Sequence, residues 1–277
     1  MTMISRYRVA ALALTGALLV AGCSDKPQST AEKMAAASVP GAPPGGAKDL
    51  AAKEATASDV KLSNHLIEFA YAYPREAARI PDLAAWLDND RENQREALVE
   101  AAKRDKDDAD QNGFPYHPHS HLQTWKRVAG TPRFLSLSAE IDTYMGGAHG
   151  MHSFDSLVWD RNHAKRLKPL DLFESGEAFD RAVNDDLCAG VERAKAAKGI
   201  DWSRDPDSPF GKCPSASAQT VWLGSTDGKY LDRMTIAIAP YEVGPYAEGS
   251  YTINLPVTAA VVHALKDEYK RDFLPLN

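Results

Sequence analysis

The stretch LSLSAEIDTYMGGAHGMHSFDSLVWD, residues 135–160, gives the strongest indication of the fold. Apolar side chains fall on alternate positions from Leu135 to Ile141, and the alternation resumes after the glycine pair and continues to Trp159. Alternation is typical of a strand with one buried face, and two such runs around a glycine turn indicate an antiparallel hairpin. We therefore predict two antiparallel strands joined by residues 144–150.

The elements around this hairpin do not follow a strict strand–helix–strand order. Strand-like alternation recurs in three further segments, residues 60–71, 231–238 and 251–255. The periodicity of apolar residues predicts three helices, over residues 82–110, 179–191 and 257–273. This mixture predicts an α+β fold of mainly antiparallel sheets with packed helices, in two small consecutive domains.

The N-terminus has the features of a bacterial lipoprotein signal. Two arginines precede the short apolar run Val9–Ala21, and Ala-Gly stands directly before Cys23. Such a segment is typical of a secretory signal peptide, and the run is shorter than the ~20 residues of a membrane-spanning helix. We predict a signal peptide over residues 1–22 and a lipid anchor on Cys23, an ordinary signal with a coincidental cysteine being the alternative. Ser24, rather than Asp, favours the periplasmic side of the outer membrane.

The segment after the cysteine differs in composition from the rest of the chain. Residues 23–57 are rich in Ala, Pro, Gly and Ser and contain no aromatic residue, which predicts a flexible linker. The chain has 38 acidic against 32 basic side chains, and the signal peptide contains two of the basic ones. This acidity argues against a nucleic-acid partner, which needs a basic face. It would attract basic partners, although solubility alone also explains it.

The two other cysteines predict a disulfide bond. Cys188 and Cys213 form an even pair once Cys23 is acylated, and in an oxidising compartment such a pair is normally bonded. A reactive free thiol is the alternative, and it would need a neighbouring base that the sequence does not reveal. A disulfide bond that closes the loop between Cys188 and Cys213 would stabilise the fold by about 3 kcal/mol.

Three separated motifs resemble the RsiV/PdaC-type extracytoplasmic proteins. The hallmark Tyr-x-Gly-Gly-Ala-His is matched by Tyr144, Gly146, Gly147, Ala148 and His149. The second motif is a Leu-x-x-Leu-Phe segment before a helix, which residues 168–173 approximate. The third is a late aromatic-Pro-Tyr-Glu element, which corresponds to residues 240–242 and 245–247. The resemblance covers residues 58–273 and implies a PdaC-like domain over residues 58–145, followed by an RsiV C-terminal-like domain of unknown function over residues 146–277.

The resemblance implies a binding or sensing role. One branch of the family is an anti-sigma factor whose extracellular part binds lysozyme, and another carries these domains on a peptidoglycan deacetylase. We expect neither a sigma-binding segment nor a deacetylase domain in this chain. The chain would then correspond to the sensing or binding region of these proteins alone. The candidate binding residues come from the first and third motifs: Tyr144, Gly146, Gly147, His149, Tyr241 and Tyr246.

Alternating histidines suggest a second kind of site. His117, His119 and His121 would project their imidazoles from one side of an extended chain, where three nitrogens can bind Zn²⁺ or Cu²⁺. The alternative is a polar loop between helix and sheet. His149 is similarly either a ligand contact or a turn residue whose ring bonds the backbone. No Gly-x-Ser-x-Gly, His-Glu-x-x-His or phosphate-loop motif occurs, so no catalytic residue is assigned.

We therefore expect a lipid-anchored binding or sensing module of the cell envelope. Its ligand would be a lysozyme-like cationic protein or a fragment of peptidoglycan, without a cofactor. The alternative is a metal-dependent envelope hydrolase that holds zinc at His117, His119 and His121.

Overall fold

The computed structural model describes residues 56–205 and 207–276. The predicted signal peptide, Cys23 and the linker up to residue 55 lie outside the described residues. The described chain forms a six-stranded mixed sheet and a three-stranded antiparallel sheet with packed helices, which confirms the predicted α+β fold.

The strands and helices have the following bounds. The first sheet contains β1 (Thr56–Ser63), β2 (Ile67–Pro74), β3 (His119–Gly130), β4 (Phe134–Tyr144), β5 (Met151–Asp160) and β6 (Lys165–Leu167). The second contains β7 (Thr220–Gly224), β8 (Arg233–Ile238) and β9 (Tyr251–Pro256). The α-helices are α1 (Arg75–Ala78), α2 (Pro81–Asn112), α3 (Gly176–Ala197) and α4 (Ala259–Ala264).

The six strands of the first sheet lie side by side in chain order. All neighbours are antiparallel except β2 and β3, which are parallel because α1 and α2 carry the chain back across the sheet between them. The single strand predicted over residues 60–71 is wrong. The side chain of Asn64 accepts hydrogen bonds from the backbone nitrogens of Leu66 and Ile67, and this turn separates β1 from β2.

The two faces of the first sheet contribute to two hydrophobic cores. Successive residues of a strand point to opposite faces, and Leu135 accordingly joins the core beneath α2 while Phe134 joins the core of the second sheet. Leu83 and Leu87 of α2 are fully buried in the first of these cores. The helix predicted over residues 82–110 is α2, which ends before Gly113, whose left-handed backbone (φ 73°) allows the chain to turn sharply.

The second core is formed by α3 and the three-stranded sheet. The predicted stripe of Phe179, Val183, Leu187 and Val191 is buried in it. Gly190 lies so close to β9 that a Cβ atom would overlap the side chain of Ile253.

A disulfide bond connects α3 to the loop before β7. It joins Cys188 to Cys213, whose Cα atoms are 5.6 Å apart, and this is the predicted pair. Because 25 residues separate the two cysteines, the bond limits how far the intervening loop can extend when the chain unfolds.

The C-terminal segment differs from the prediction. Instead of one helix over residues 257–273, α4 ends at Ala264, and Leu265 and Phe273 form bridges with Phe173 and Leu231. The apolar residues of this segment therefore reach the second core from a short helix, a turn and two bridges rather than from one continuous helix. Within the described residues, no helix is long and apolar enough to cross a bilayer.

The predicted boundary between residues 145 and 146 falls in the connection between β4 and β5. Both of these strands belong to the six-stranded sheet, which continues to Leu167. Strands β4 and β5 therefore belong to the first sheet and also contribute side chains to the second core.

Candidate functional site

The hairpin connection Tyr144–Gly150, here called the glycine loop, joins β4 to β5 as predicted. Gly146 and Gly147 both have positive φ angles, 86° and 89°, which side chains with a Cβ rarely adopt. The hydroxyl of Tyr144 donates a hydrogen bond to the carbonyl oxygen of Gly147, at 3.0 Å, and fixes the shape of the turn. The glycines are thus required by the backbone conformation of the loop.

One side of the glycine loop faces the end of α2 across a cleft of about 410 Å³. The cleft is lined by Asp105, Asp108, Ala109, Phe114, Pro115, Tyr116, His117, His119, Tyr144, Gly146 and Gly147. Three of the predicted binding residues, all from the glycine loop, therefore line the same cleft as His117 and His119, which are two of the three predicted metal ligands.

The end of α2 positions the acidic and aromatic side of the cleft. The backbone nitrogens of Gly113 and Phe114 both donate to the carbonyl oxygen of Ala109, so the helix closes and the chain turns back. Tyr116 then donates its hydroxyl to the carbonyl oxygen of Leu66, at 2.7 Å, which ties the turn to the start of β2. Burial raises the pKa of Tyr116 above its ordinary value of 10.0, so the phenol remains a donor at neutral pH.

His119 is the most unusual residue of the cleft. Its side chain is only 2% exposed, its Nε2 lies 3.1 Å from Oδ2 of Asp105, and its Nδ1 has no hydrogen-bond partner among the residues that the structure describes. A carboxylate at this distance favours a proton on Nε2, which leaves Nδ1 as an acceptor. A buried acceptor without a partner costs about 1–3 kcal/mol, which makes His119 a candidate contact for a ligand.

The three alternating histidines do not converge. His117 is exposed, whereas His121 is buried, contacts Gln123 through Nε2 at 2.9 Å and stacks on Phe69. Within residues 56–205 and 207–276, no group of three or more His, Cys, Asp or Glu side chains is arranged to hold a metal ion. The residues therefore do not fit the zinc site that we considered.

The other side of the glycine loop is attached to the segment before β9. The ring of His149 stacks on Tyr246 with 3.8 Å between ring centroids. Its Nδ1 donates to the carbonyl oxygen of Gly150, at 2.9 Å, and its Nε2 accepts from the hydroxyl of Tyr241, at 3.1 Å. The predicted binding residues His149, Tyr241 and Tyr246 are therefore in contact with one another. The ring of His149 also makes a hydrogen bond to the backbone, which was the alternative role considered for it.

Tyr241 itself has a strained backbone. Its φ angle is 74°, a value that non-glycine residues rarely adopt, and its side chain is 46% exposed. Strain of this kind persists where the surrounding structure enforces it, often at binding sites. Here the strained residue makes the hydrogen bond to His149 that attaches the glycine loop.

Residues 60–152 match the family model described as Deacetylase PdaC. All the residues that line the cleft lie in this PdaC-matched region, whereas Tyr241 and Tyr246 lie outside it. No curated protein matches the chain.

Two solved structures of DUF3298-family proteins are similar to most of the chain. One, from Bacteroides fragilis NCTC 9343, is 17% identical, covers 79% of this chain and 95% of its own, and has a TM-score of 0.47. The other, from Pseudomonas aeruginosa PAO1, is 15% identical, covers 79% and 94%, and has a TM-score of 0.46.

The PdaC-matched region places negative charge at the cleft. Asp105 and Asp108 both line it, and the nearby Lys106 is held 2.7 Å from Asp110 on the same helix. None of the described residues that line the cleft is Lys or Arg. The end of α2 also contributes the negative pole of the helix, and no basic residue lies in its last turn.

Sequence patterns revealed only part of this site. The glycine loop and His119 were predicted as candidates, but Asp105, Asp108 and Phe114 were not. The signal that could have indicated them is the aspartate-rich end of α2 followed by Gly113 and an aromatic residue. Their relevance depends on the approach of the helix end to a loop some 40 residues later, which no local pattern encodes.

Proposed function

We propose that this protein is a lipid-anchored binding module of the bacterial envelope and that the cleft beside the glycine loop is its ligand site. Cys23 would hold it on the periplasmic side of the outer membrane, and residues 23–55, which precede β1, would act as the tether. The observation that carries the proposal is the buried imidazole of His119, which lines an open cleft and has an unpaired nitrogen.

The chemistry of the cleft favours a ligand that donates hydrogen bonds or carries positive charge. Two carboxylates and three aromatic rings line it, and the chain as a whole is acidic. A lysozyme-like cationic protein fits the charge, and a peptidoglycan fragment fits the combination of rings and hydrogen-bond acceptors. We propose these two ligand classes, in this order.

The contacts of the glycine loop support a sensing role. The loop borders the cleft on one side, and on the other side His149 attaches it to Tyr241 and Tyr246. A ligand that displaces the loop would therefore disturb the segment before β9 as well. We propose that residues 146–277, which resemble the RsiV C-terminal domain, receive this change.

The matched family description names a deacetylase, and we considered a metal-dependent hydrolase at His117, His119 and His121. These residues do not form a metal site in the described part of the chain, because His117 is exposed while His121 is engaged by Gln123. The arrangement of the cleft supports binding better than this chemistry.

Surface plasmon resonance with the purified full-length protein in detergent tests the proposal. The analytes are hen-type lysozyme and soluble peptidoglycan fragments, each at low and at physiological salt, because screening separates charge attraction from specific contacts. We expect at least one analyte to be retained at physiological salt. Retention of neither at either salt would contradict the proposal.

A matched pair of variants locates the binding. Asp108→Trp fills the cleft with an indole ring, whereas Asp107→Trp makes the same change at an exposed position of α2 that does not line it. We expect only the first to abolish retention. Equal effects of both substitutions would place the binding elsewhere.

A further inference from the structure

We propose that the cleft is a receptor for one organic cation, the guanidinium or ammonium group of an Arg or Lys side chain of a protein partner. This inference rests on the proposed binding function and specifies the group that the site recognises. It follows from four features of the cleft: its two carboxylates, the buried imidazole of His119, its aromatic rings and the absence of Lys and Arg among its described lining residues.

The carboxylates are available to a ligand. The Asp105 side chain is 56% exposed, and among the described residues its contact is Nε2 of His119, which as a neutral imidazole leaves the carboxylate charge uncompensated. Asp108 is exposed and accepts a hydrogen bond from the side chain of Asn112, which leaves the carboxylate charge without a cation. The nearest lysine along the helix, Lys106, is bound to Asp110 instead. Two uncompensated negative charges therefore face the cleft at the negative end of a 32-residue helix.

The imidazole of His119 lies beside these charges. When Asp105 holds the proton on Nε2, the buried Nδ1 keeps a lone pair that meets no donor among the described residues, and because His119 lines the cleft, a donor group of the ligand is the partner that we infer for it. Guanidinium and ammonium groups have several N–H donors and no acceptor, so they match a site that offers acceptors.

The aromatic rings suit the same group. Phe114, Tyr116 and Tyr144 line the cleft, and Phe114 is 50% exposed although it is a large apolar side chain. A cation is attracted to the face of an aromatic ring, and a planar guanidinium also stacks on it. An exposed phenylalanine beside two carboxylates is explained by such a ligand.

The cleft excludes the other simple ligands. An anion would meet two carboxylates and the negative end of α2, with no lysine or arginine among the described lining residues. A bare metal ion would need three protein ligands, and no such group is present in the described part of the chain. A protein partner is favoured over a small amine because the excess of acidic over basic residues attracts basic proteins over a long range.

Isothermal titration calorimetry of the full-length protein with two peptides tests the inference. The probe is N-acetyl-Gly-Arg-Gly-amide, and its control contains citrulline, which has nearly the same shape as arginine but no charge. Losing a charge partner in a partly desolvated site is costly, so we expect citrulline to bind at least about fivefold more weakly. A smaller difference, or no binding of the arginine peptide, would overturn the inference.

Two pairs of substitutions identify the carboxylates involved. Asp105→Asn with Asp108→Asn should weaken arginine binding by about fivefold or more, whereas Glu100→Gln with Asp107→Asn removes the same charge from exposed positions of the same helix outside the cleft and leaves the pair of Lys106 with Asp110 intact. An equal effect of both pairs would overturn the assignment to the cleft.

Phe114→Leu gives an independent readout, because Phe114 is half-exposed and its replacement does not disturb a core. We expect arginine binding to weaken about threefold when the ring face is lost. Unchanged binding would remove the ring from the site. If lysozyme is retained but arginine and citrulline peptides bind alike, this inference fails while the proposed function stands; if nothing binds, both fail.

Discussion

The guanidinium of Arg133 connects the first sheet to the C-terminal segment. Its Nη2 donates to the buried carboxylate of Asp160, at 2.9 Å, and its Nη1 donates to Asp272 and to the carbonyl oxygen of Glu268, each at 2.8 Å. The same group lies 4.7 Å from the ring centroid of Tyr269. The planar fork of arginine makes all of these contacts at once, which a lysine cannot do.

Arg133→Lys should therefore lower the free energy of unfolding by about 2–4 kcal/mol, because it leaves buried acceptors without partners. Arg127→Lys is the matched control, since Arg127 makes one long ion pair, 3.7 Å, with Glu76 and should change stability by less than about 0.5 kcal/mol. Urea unfolding at neutral pH measures both. Similar losses in the two variants would contradict the role given to Arg133.

The stability contributed by Asp160 should depend on pH. Burial alone would raise the pKa of Asp160, but hydrogen bonds from Arg133, His163 and the backbone of Asn162 outweigh it and lower the pKa below 3.8. A lowered pKa in the folded state stabilises the protein above the unfolded value, and this contribution disappears as pH falls through the folded value.

We therefore expect the difference in unfolding free energy between wild type and Asp160→Asn to be constant above about pH 5 and to shrink below about pH 4. Urea unfolding at a series of pH values measures the difference. A difference that is unchanged or larger at low pH would show that the carboxylate is not held ionised.

Elements with a local pattern could be predicted, and those that depend on distant partners could not. The hairpin of β4 and β5 and the buried stripe of α3 follow from periodicity within one segment. The C-terminal helix was overpredicted because Leu265 and Phe273 form bridges with distant residues, although their spacing also suits a helix. The parallel pairing of β2 with β3 likewise depends on the crossover by α2, which the sequence does not display.

The glycine loop borders the cleft on one side, and on the other side His149 attaches it to the segment before β9. His149→Phe should retain the stacking on Tyr246 but lose the hydrogen bond to Tyr241. We expect the amides of residues 145–150 to exchange hydrogen faster while the ladder of β4 and β5 is unaffected. Hydrogen exchange measured by mass spectrometry provides the comparison.

His152→Phe is the control for this experiment, because His152 lies on the neighbouring strand and contacts Asp142 rather than the tyrosines. It should leave exchange in the glycine loop unchanged. Equal acceleration in both variants would indicate a general loosening of the hairpin and would contradict the attachment through His149.

The whole molecule, as we propose it, is an acidic folded body on a lipid tether. The sequence alone predicted the anchor and the linker; Cys23 and the linker up to residue 55 lie outside the described residues, and the last two residues of the predicted linker belong to β1. The fold class was predictable because strands and helices alternate irregularly, but the cleft was not, because it forms where the end of α2 meets the glycine loop. The ligand chemistry that we propose for it rests on the positions of Asp105, Asp108 and His119.

The anchor leads to a prediction about localisation. Wild-type protein should sediment with outer membranes, and its N-terminal peptide should carry acyl chains on Cys23, because several buried chains make a stable membrane anchor. Cys23→Ala should leave the protein unacylated. Fractionation together with mass spectrometry measures both properties, and an unmodified Cys23 behind an intact first methionine would contradict the anchor.

Hydrogen exchange of the full-length protein with and without bound lysozyme or peptidoglycan fragment tests the binding site most directly. Bound ligand should slow exchange in residues 105–119 and 144–150, because these segments form the cleft. Slowed exchange confined to another surface, such as the groove between α3 and α4 lined by Ala178, Ala182 and His263, would contradict the assignment of the cleft as the ligand site.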